Sequence, residues 1–150
     1  MGTANNVYAY SSTVADNETA DSTQTWNDSI APTLIDNNGR NFMAGVRNYQ
    51  KDAGGASVAA GTANAITLVT ASLITSATHA AAAGYNIKFR ATATNTSSVT
   101  IAIDSGATIA IVDQFGRALT GGEIISGNIV EIAYNANTSN FRLMSYPALP

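Results

Sequence analysis

The sequence contains no cysteine, a single histidine and few charged residues, which make up 11% of its 150 residues. Without cysteine, neither a disulfide framework nor a thiolate metal site can form. One histidine cannot anchor a zinc site by itself, so His79 is interpreted as a solvated loop residue, with an ion on a symmetry axis as the alternative. No cofactor, no metal and no catalytic residue are predicted, and the scarcity of charge disfavours an ordinary helical enzyme.

Targeting signals, membrane spans and nucleic-acid patches are also missing. No basic segment followed by an apolar run opens the chain, so no secretory signal is expected. The long uncharged stretch from Ala53 to Ile87 is interrupted every few positions by Thr, Ser, Asn and Gly, which disfavours a membrane span. Residues 1–39 carry five acids and no base, whereas residues 40–150 carry five acids and seven bases. No clustered positive charge is available to bind nucleic acid.

What the sequence has in abundance is Ala, with 27 residues, together with Thr, Asn, Ser and Gly. Short β-branched or aromatic runs, separated by Gly, Asn, Asp and Ser clusters, predict seven strands. These lie at Ala65–Val69, Leu73–Thr75, Asn86–Ala93, Val99–Ile103, Ala107–Val112, Ile129–Tyr134 and Phe141–Met144. The predicted fold class is therefore mainly β, with an antiparallel, jelly-roll-like β-sandwich module over residues 65–150.

Three further segments precede this module: an extended acidic arm (1–31), a helix (32–53) and a flexible hinge (54–64). In the helix, Thr33 and Asp36 suggest a capping box after Pro32, and the Gly54–Gly55 pair supplies a stop. Apolar residues line one stripe of the helix, and three aromatic residues of the arm need cover from water. Three turns of a one-sided helix fit packing on the helix's own domain as well as packing against a neighbouring subunit. Of these two, we expect both sets to lie in a subunit or particle interface; they are Ile35, Phe42, Met43, Val46 and Tyr49, and Tyr8, Tyr10 and Trp26.

Several segments, in order, resemble the tail-fibre and appendage proteins of tailed bacteriophages. The first are VYAYSSTVADN from Val7 and WNDSIAPTLIDNNGRNFMAGVRNYQKD from Trp26. GTANAITLVT, GYNIKFRATATNTSSVTIAI, GRALTGGEIISGNIVEIAYN and SNFRLM then follow like the repeated β-module of such fibres. The resemblance implies a non-enzymatic virion surface protein, assembled in the host cytoplasm. Because only one module is present, we expect a small multicopy part: a capsid decoration or cement protein, or a short fibre adaptor.

The resemblance also implies partners. Parts of this kind are commonly homotrimers, so the chain itself is the first expected partner, and the low charge suits packing between identical chains. The major capsid protein, or tail and fibre proteins of the same virion, are the others. Neither nucleic acid nor a membrane is expected as a partner.

Two other functions compete with this interpretation. The sequence IAIDSGAT from Ile101 resembles the motif of retropepsin-like aspartic proteases, in which two copies of Asp104 would share a proton across a dimer. The simpler interpretation is a strand that ends in an Asp-Ser-Gly turn, with Asp104 bonding its own backbone. The second competing function is a carbohydrate-binding module for host attachment, with Tyr85, Tyr134 and Tyr146 as the aromatic rings on which a sugar would stack.

A further pair of acidic residues, Glu123 and Glu131, flanks an apolar segment. Two carboxylates can act as acid and base in glycoside hydrolysis. Alternation fits these two residues better to solvent-facing strand positions.

Overall fold

The computed structural model describes residues 31–73 and 86–145. The arm up to Ile30, with Tyr8, Tyr10 and Trp26, lies outside these ranges, as do His79, Tyr85 and Tyr146. Within the described residues there is one helix, α1 (Pro32–Gly54). No helix in this part of the chain combines the length and hydrophobicity that crossing a membrane requires.

The start of α1 differs from the predicted capping box. Pro32 occupies the first helical turn, where a missing N–H costs nothing, and Ala31 is the N-cap residue without a side-chain hydrogen bond. Thr33 therefore lies within the helix instead of capping it. The capping-box prediction is wrong because the helix begins at Pro32, which makes Ala31 and not Thr33 the N-cap residue.

The end of α1 follows the prediction. Gly54 is its last residue, and Gly55 adopts a left-handed conformation with φ of 79°. The N–H of Ala56 then donates to the carbonyl of Lys51 at 3.1 Å, which satisfies one of the open carbonyls of the last turn. A Cβ on Gly55 would lie 2.9 Å from Cδ1 of Ile129, so the glycine also allows the helix end to approach the sheet closely.

In residues 31–73 and 86–145, eight strands form one mixed sheet in the order β1-β4-β7-β8-β6-β5-β3-β2. Neighbouring strands are antiparallel except for β1 with β4, β3 with β5 and β6 with β8, which are parallel. The strands are β1 (Ser57–Val58), β2 (Ala60–Gly61), β3 (Ala65–Leu68), β4 (Asn86–Arg90), β5 (Val99–Ile103), β6 (Thr108–Val112), β7 (Ile129–Asn135) and β8 (Asn140–Leu143).

The two edges of this sheet are joined by one short stretch of backbone. The edge strands β1 and β2 follow each other in the chain with only Ala59 between them. β1 pairs with β4, β2 pairs with β3, and the N–H of Ala59 donates to the carbonyl of Arg90 at 2.9 Å. The sheet is therefore nearly barrel-shaped.

The core fills the inside of this sheet. Side chains alternate inward and outward along β4, β5, β7 and β8, as a strand with one buried face requires. The largest fully buried side chains are Phe89, Phe141, Leu68, Ile87, Ile101, Ile103, Ile111, Ile124, Ile132 and Leu143. Nearly all of them are strand residues, so the core belongs to the sheet and α1 contributes little to it.

The mainly β class with one helix is confirmed, but the finer arrangement differs from the prediction. The strands pair as one mixed sheet, so an antiparallel sandwich or jelly roll is not confirmed. The expected hinge at 54–64 instead contains β1 and β2 and closes the sheet. Leu73 is not in a strand, although the sequence predicts one from this residue. Alternation identifies strands and their buried face, but it carries no information on which strands pair.

Candidate subunit interface

Asp52 attaches the end of α1 to the sheet. This residue lies in the last turn of α1 and is fully buried. Its carboxylate accepts hydrogen bonds from the backbone N–H groups of Ala71 at 2.8 Å and Ser72 at 3.0 Å. A negative charge near a helix C-terminus is disfavoured by the helix dipole, and these bonds offset that cost. The helix is thus tied to the chain that follows β3.

The buried side of α1 is polar. Asn38, Gly45 and Asp52 are the buried residues of the helix whose burial is described. They are spaced seven residues apart, which is about two helical turns, so they lie along one line of the helix. An amphipathic helix of a single-domain protein normally buries its apolar stripe. Here the helix buries polar groups instead.

The apolar stripe of α1 lies in the solvent-accessible part of its surface. The five predicted interface residues of the helix, Ile35, Phe42, Met43, Val46 and Tyr49, are between 45% and 64% exposed. They span most of the length of the helix, so the exposure is a continuous patch rather than a single side chain. Exposed apolar patches are typical of surfaces that bind another protein, a membrane or a ligand.

A row of positive charge runs beside this stripe. Arg40, Arg47 and Lys51 are exposed and spaced seven and four residues apart, which places them on one side of α1. The guanidinium of Arg47 donates to Oε1 of Gln50 at 2.7 Å. A partner that covers this face must therefore offer apolar contacts, and acidic groups at one edge would add favourable contacts.

Asp104 follows β5 in a tight turn, which confirms the turn predicted by the simpler interpretation of the Asp-Ser-Gly motif, whereas the bonds of its carboxylate to Thr70 were not predicted. Asp104 and Ser105 have φ of 49° and 61°, and the N–H of Gly106 donates to the carbonyl of Ile103 at 2.8 Å. The carboxylate of Asp104 accepts hydrogen bonds from Thr70, from its N–H at 2.8 Å and from its hydroxyl. Together with Asp52, this side chain holds residues 70–72 in place.

The two glutamates lie in different environments. Glu131 is on the outward side of β7, opposite Lys88 on β4, and their charged groups are 3.4 Å apart. Its predicted strand position is confirmed. Glu123 is not in a strand but in the connection between β6 and β7, so that prediction is wrong. The Gly121–Gly122 pair before it could have signalled a turn at this point.

Glu123 accepts a dense set of hydrogen bonds. The N–H groups of Thr120 and Gly121 donate to it at 2.7 Å and 2.8 Å, and the side-chain amide of Asn95 donates at 2.8 Å. Partial burial alone raises the pKa of Glu123, but the hydrogen bonds favour the charged form and lower its pKa from its ordinary value of 4.5 to about 2. This carboxylate therefore holds the β6–β7 connection to Asn95 and stays ionised near neutral pH.

Two further observations concern metal ions and sugars. In residues 31–73 and 86–145, no three His, Asp or Glu side chains are grouped so that they could hold a metal ion. Tyr134, a suggested sugar platform, is buried and packs edge-on against Phe141, with ring centroids 5.3 Å apart. Its ring face is therefore not presented to solvent.

Sequence reasoning missed two features of the structure. The first is Asp52, which lacks any local motif because its partners, Ala71 and Ser72, are far along the chain. The second is the loop around Phe115, where only Gly116 indicates a turn.

No protein-family model matches this sequence, and no curated protein matches it either.

Proposed function

We propose that this chain is a non-enzymatic structural protein of a tailed-bacteriophage particle, displayed on the virion surface as a homo-oligomer, with a homotrimer as the expected form. The observation that carries the proposal is the orientation of α1, which buries Asn38, Gly45 and Asp52 and leaves its apolar stripe exposed. A subunit that satisfies its core without this stripe is suited to bury it against a neighbour.

The division of the chain supports the same role. The strand module forms the protruding knob; its nearly closed sheet takes the place of the expected jelly roll. The acidic arm, residues 1–31, and α1 fasten the knob to neighbouring copies and to the particle, through the major capsid protein or through tail and fibre proteins. The ordered resemblance to phage appendage proteins points to the virion, and the described carboxylates Asp52, Asp104 and Glu123 serve hydrogen bonds within the fold.

The oligomer is tested by placing a charge on the stripe. Val46→Asp puts a carboxylate in the middle of the apolar stripe, whereas Ala44→Asp puts the same group on an exposed position of the same helix outside it. We expect the parent chain and Ala44→Asp to form one oligomer in sedimentation velocity and native mass spectrometry. Val46→Asp is expected to give monomers that retain the far-UV circular dichroism of the parent.

The virion assignment is tested on particles of the phage that encodes the chain. Density-gradient-purified particles are labelled with gold-conjugated antibodies against the chain, and its copy number is measured by quantitative mass spectrometry. We expect regularly placed label on capsid or tail at many copies per particle. A monomeric chain that is absent from purified particles contradicts the proposal, and labelling position decides between capsid and tail.

A further inference from the structure

The exposed face of α1 combines an apolar stripe with positive charge at its C-terminal half. Val46 and Tyr49 of the stripe are each 45% exposed, and the exposed residues Arg47 and Lys51 lie beside them. From Ile35 to Tyr49 the helix rises about 21 Å, at 1.5 Å per residue. A segment that covers this face must therefore be apolar over roughly that length and acidic at the end near Lys51.

The chain carries a segment of this composition directly before the helix. Residues 1–30, which lie outside the described ranges, contain four acids and neither lysine nor arginine. Read in steps of two, positions 8 to 18 are Tyr, Tyr, Ser, Val, Asp and Glu. Alternate residues of an extended segment share one face. In an extended conformation, one face of the arm would thus carry an apolar stretch followed by two carboxylates.

The length of the apolar stretch matches that of the stripe. An extended chain rises about 3.3 Å per residue, so residues 7–14 span about 23 Å, close to the rise of about 21 Å from Ile35 to Tyr49. If the two ends are aligned, Ser12 lies at the level of Val46 in the middle of the helix face. The two tyrosines then lie along the N-terminal half of the stripe.

The charges select the direction in which the arm runs along the helix. Parallel to α1, Asp16 comes to the helix end that carries Arg47 and Lys51. In the opposite direction, it comes to the helix start, where the half charge of the helix dipole is favourable but Asp36 is not. Two full positive charges outweigh this half charge, so the parallel direction is favoured.

We propose that residues 7–18 of one copy bind, extended and in parallel, along the exposed face of α1 of a neighbouring copy. The inference rests on the proposed oligomer, because it names the segment that covers the stripe there. Each copy offers one arm and one helix face, so copies linked in this way follow one another head to tail. A contact of this kind closes into a ring when the last arm reaches the first helix, and a homotrimer is such a ring.

The connection between arm and helix favours a neighbouring copy over the same copy. A parallel arm ends near Lys51, whereas the chain must continue into Pro32 at the other end of its own helix. Binding in the same copy therefore makes residues 19–31 return along about 34 Å of helix, and their large apolar residues are only Trp26 and Ile30. Fully extended, these residues reach about 43 Å, which is enough to span to a neighbour.

The buried area is that of a specific interface. Each tyrosine of the arm removes roughly 150–250 Å² from water, and with Val14 and the stripe surface that they cover, one contact buries on the order of 1,000 Å². Each copy takes part in two such contacts, one through its arm and one through its helix. The opposite charges of Asp16 and Lys51 add an attraction that salt screens, so the oligomer should weaken as salt is added.

The absence of cysteine allows cross-linking of the full chain at chosen positions. Ser12→Cys combined with Val46→Cys places two thiols at one level of the contact, and Ser12→Cys combined with Ala44→Cys moves the second thiol to an exposed position outside the stripe. We expect a short bismaleimide to join the first pair between copies. Denaturing electrophoresis then shows covalent dimers and trimers, and peptide mass spectrometry shows the link from position 12 to position 46. The second pair is expected to stay largely unlinked.

Sedimentation velocity measures how much the arm contributes to association. Tyr10→Ser removes a ring from the face that binds, whereas Val7→Ser removes an apolar side chain from the opposite face of the extended arm and is the control. We expect the dissociation constant of the oligomer to rise roughly tenfold or more in Tyr10→Ser, as for a central interface residue, and to stay unchanged in Val7→Ser.

The outcomes separate this inference from the proposed function. Links from position 12 to position 46 between copies, together with a weakened Tyr10→Ser oligomer, support both. An oligomer that is lost in Val46→Asp but is parent-like in Tyr10→Ser and gives no such link overturns binding of the arm and leaves the α1 interface standing. Links confined to single chains overturn binding to a neighbour, and a monomeric parent chain overturns the proposed oligomer as well.

Discussion

At the scale of single residues, Glu123 links stability to pH. Its carboxylate receives N–H groups from Thr120, Gly121 and Asn95, and its pKa of about 2 in the folded chain lies below the ordinary value of 4.5. Between these two values the unfolded chain binds more protons, so stability falls as pH decreases from about 4.5 toward 2. Asp113 acts in the same direction: burial raises its pKa, but hydrogen bonds and the charge of Arg117 lower it overall.

We expect Glu123→Gln to lower the free energy of unfolding at pH 7 by about 1–2 kcal/mol, because an amide then faces backbone donors in a partly solvated cluster. It should also flatten the loss of stability between pH 4.5 and 2. Urea denaturation at several pH values measures both effects. Glu131→Gln, at a more exposed ion pair, is the control and should cost less than about 1 kcal/mol. A parent-like pH slope in Glu123→Gln would contradict the assigned role.

Asp52 is the residue whose loss should release α1. Asp52→Asn replaces one carboxylate oxygen by an NH2 group that faces a backbone N–H of residue 71 or 72, and leaving such a donor unpaired costs about 1–3 kcal/mol. Hydrogen exchange of residues 70–72 and urea denaturation measure the change. Lys51→Gln alters the charge of the neighbouring exposed position and should cost less than about 1 kcal/mol. Equal effects of both substitutions would show that Asp52 has no special role.

At the scale of elements, the sequence predicts strands well and their pairing poorly. The strand at Val99–Ile103 is predicted with its observed ends, because alternating Val and Ile residues between turn residues identify a strand with one buried face. The parallel pairing of β5 with β3 depends on the path of the chain between them. The alternation of apolar and polar residues contains no information on that path. β1 and β2 are missed because segment 54–64 consists of small residues, whose strand conformation comes from pairing with β4 and β3.

For the candidate interface too, the element was predicted from the sequence and its contacts were not. The periodicity of Ile35, Phe42, Val46 and Tyr49 predicts a helix with an apolar stripe, and the helix is present. The direction in which the stripe points could not be predicted, because it is set by Asp52 and its contacts with distant residues 71 and 72. The loop around Phe115 was missed for a similar reason: its conformation depends in part on a hydrogen bond from Arg142 of another strand to the carbonyl of Asp113.

Closure of the sheet depends on Gly61 at the end of β2. Its φ is 86°, and an added Cβ would lie 2.4 Å from the carbonyl oxygen of Ala65, which as backbone cannot move aside easily. We expect Gly61→Ala to lower the free energy of unfolding by about 2–4 kcal/mol and to increase hydrogen exchange in residues 57–62. Gly122 has nearly the same φ of 87° but no atom within 4 Å of an added Cβ.

Gly122→Ala is therefore a matched control that carries the backbone strain without the clash. We expect it to cost about 1–2 kcal/mol, with hydrogen exchange of residues 57–62 as in the parent. Equal effects of the two substitutions on stability and exchange would show that closure of the sheet does not depend on the close approach of Gly61 to the carbonyl of Ala65.

At the scale of the whole molecule, the described part of the chain combines a sheet that contains the hydrophobic core with a helix whose apolar stripe is exposed. The sheet buries its own large aliphatic and aromatic side chains and joins its own edges, so we expect it to be stable without a neighbour. α1 is fixed to it through polar groups and keeps its apolar stripe outward. The proposed association through the stripe would therefore add to a fold that forms without it, and we expect oligomerisation to be separable from folding.

This separation predicts how thermal stability depends on protein concentration. A partner that binds only the folded subunit stabilises it by mass action, so the Tm of the parent chain and of Ala44→Asp should rise with concentration. Val46 is 45% exposed in the single subunit, so Val46→Asp costs the isolated fold little, about 1 kcal/mol or less. Its Tm should match that of the parent at low concentration and fail to rise at high concentration. Differential scanning calorimetry over a hundredfold range of concentration measures this; a Tm lowered equally at every concentration would mean that the stripe packs within its own subunit.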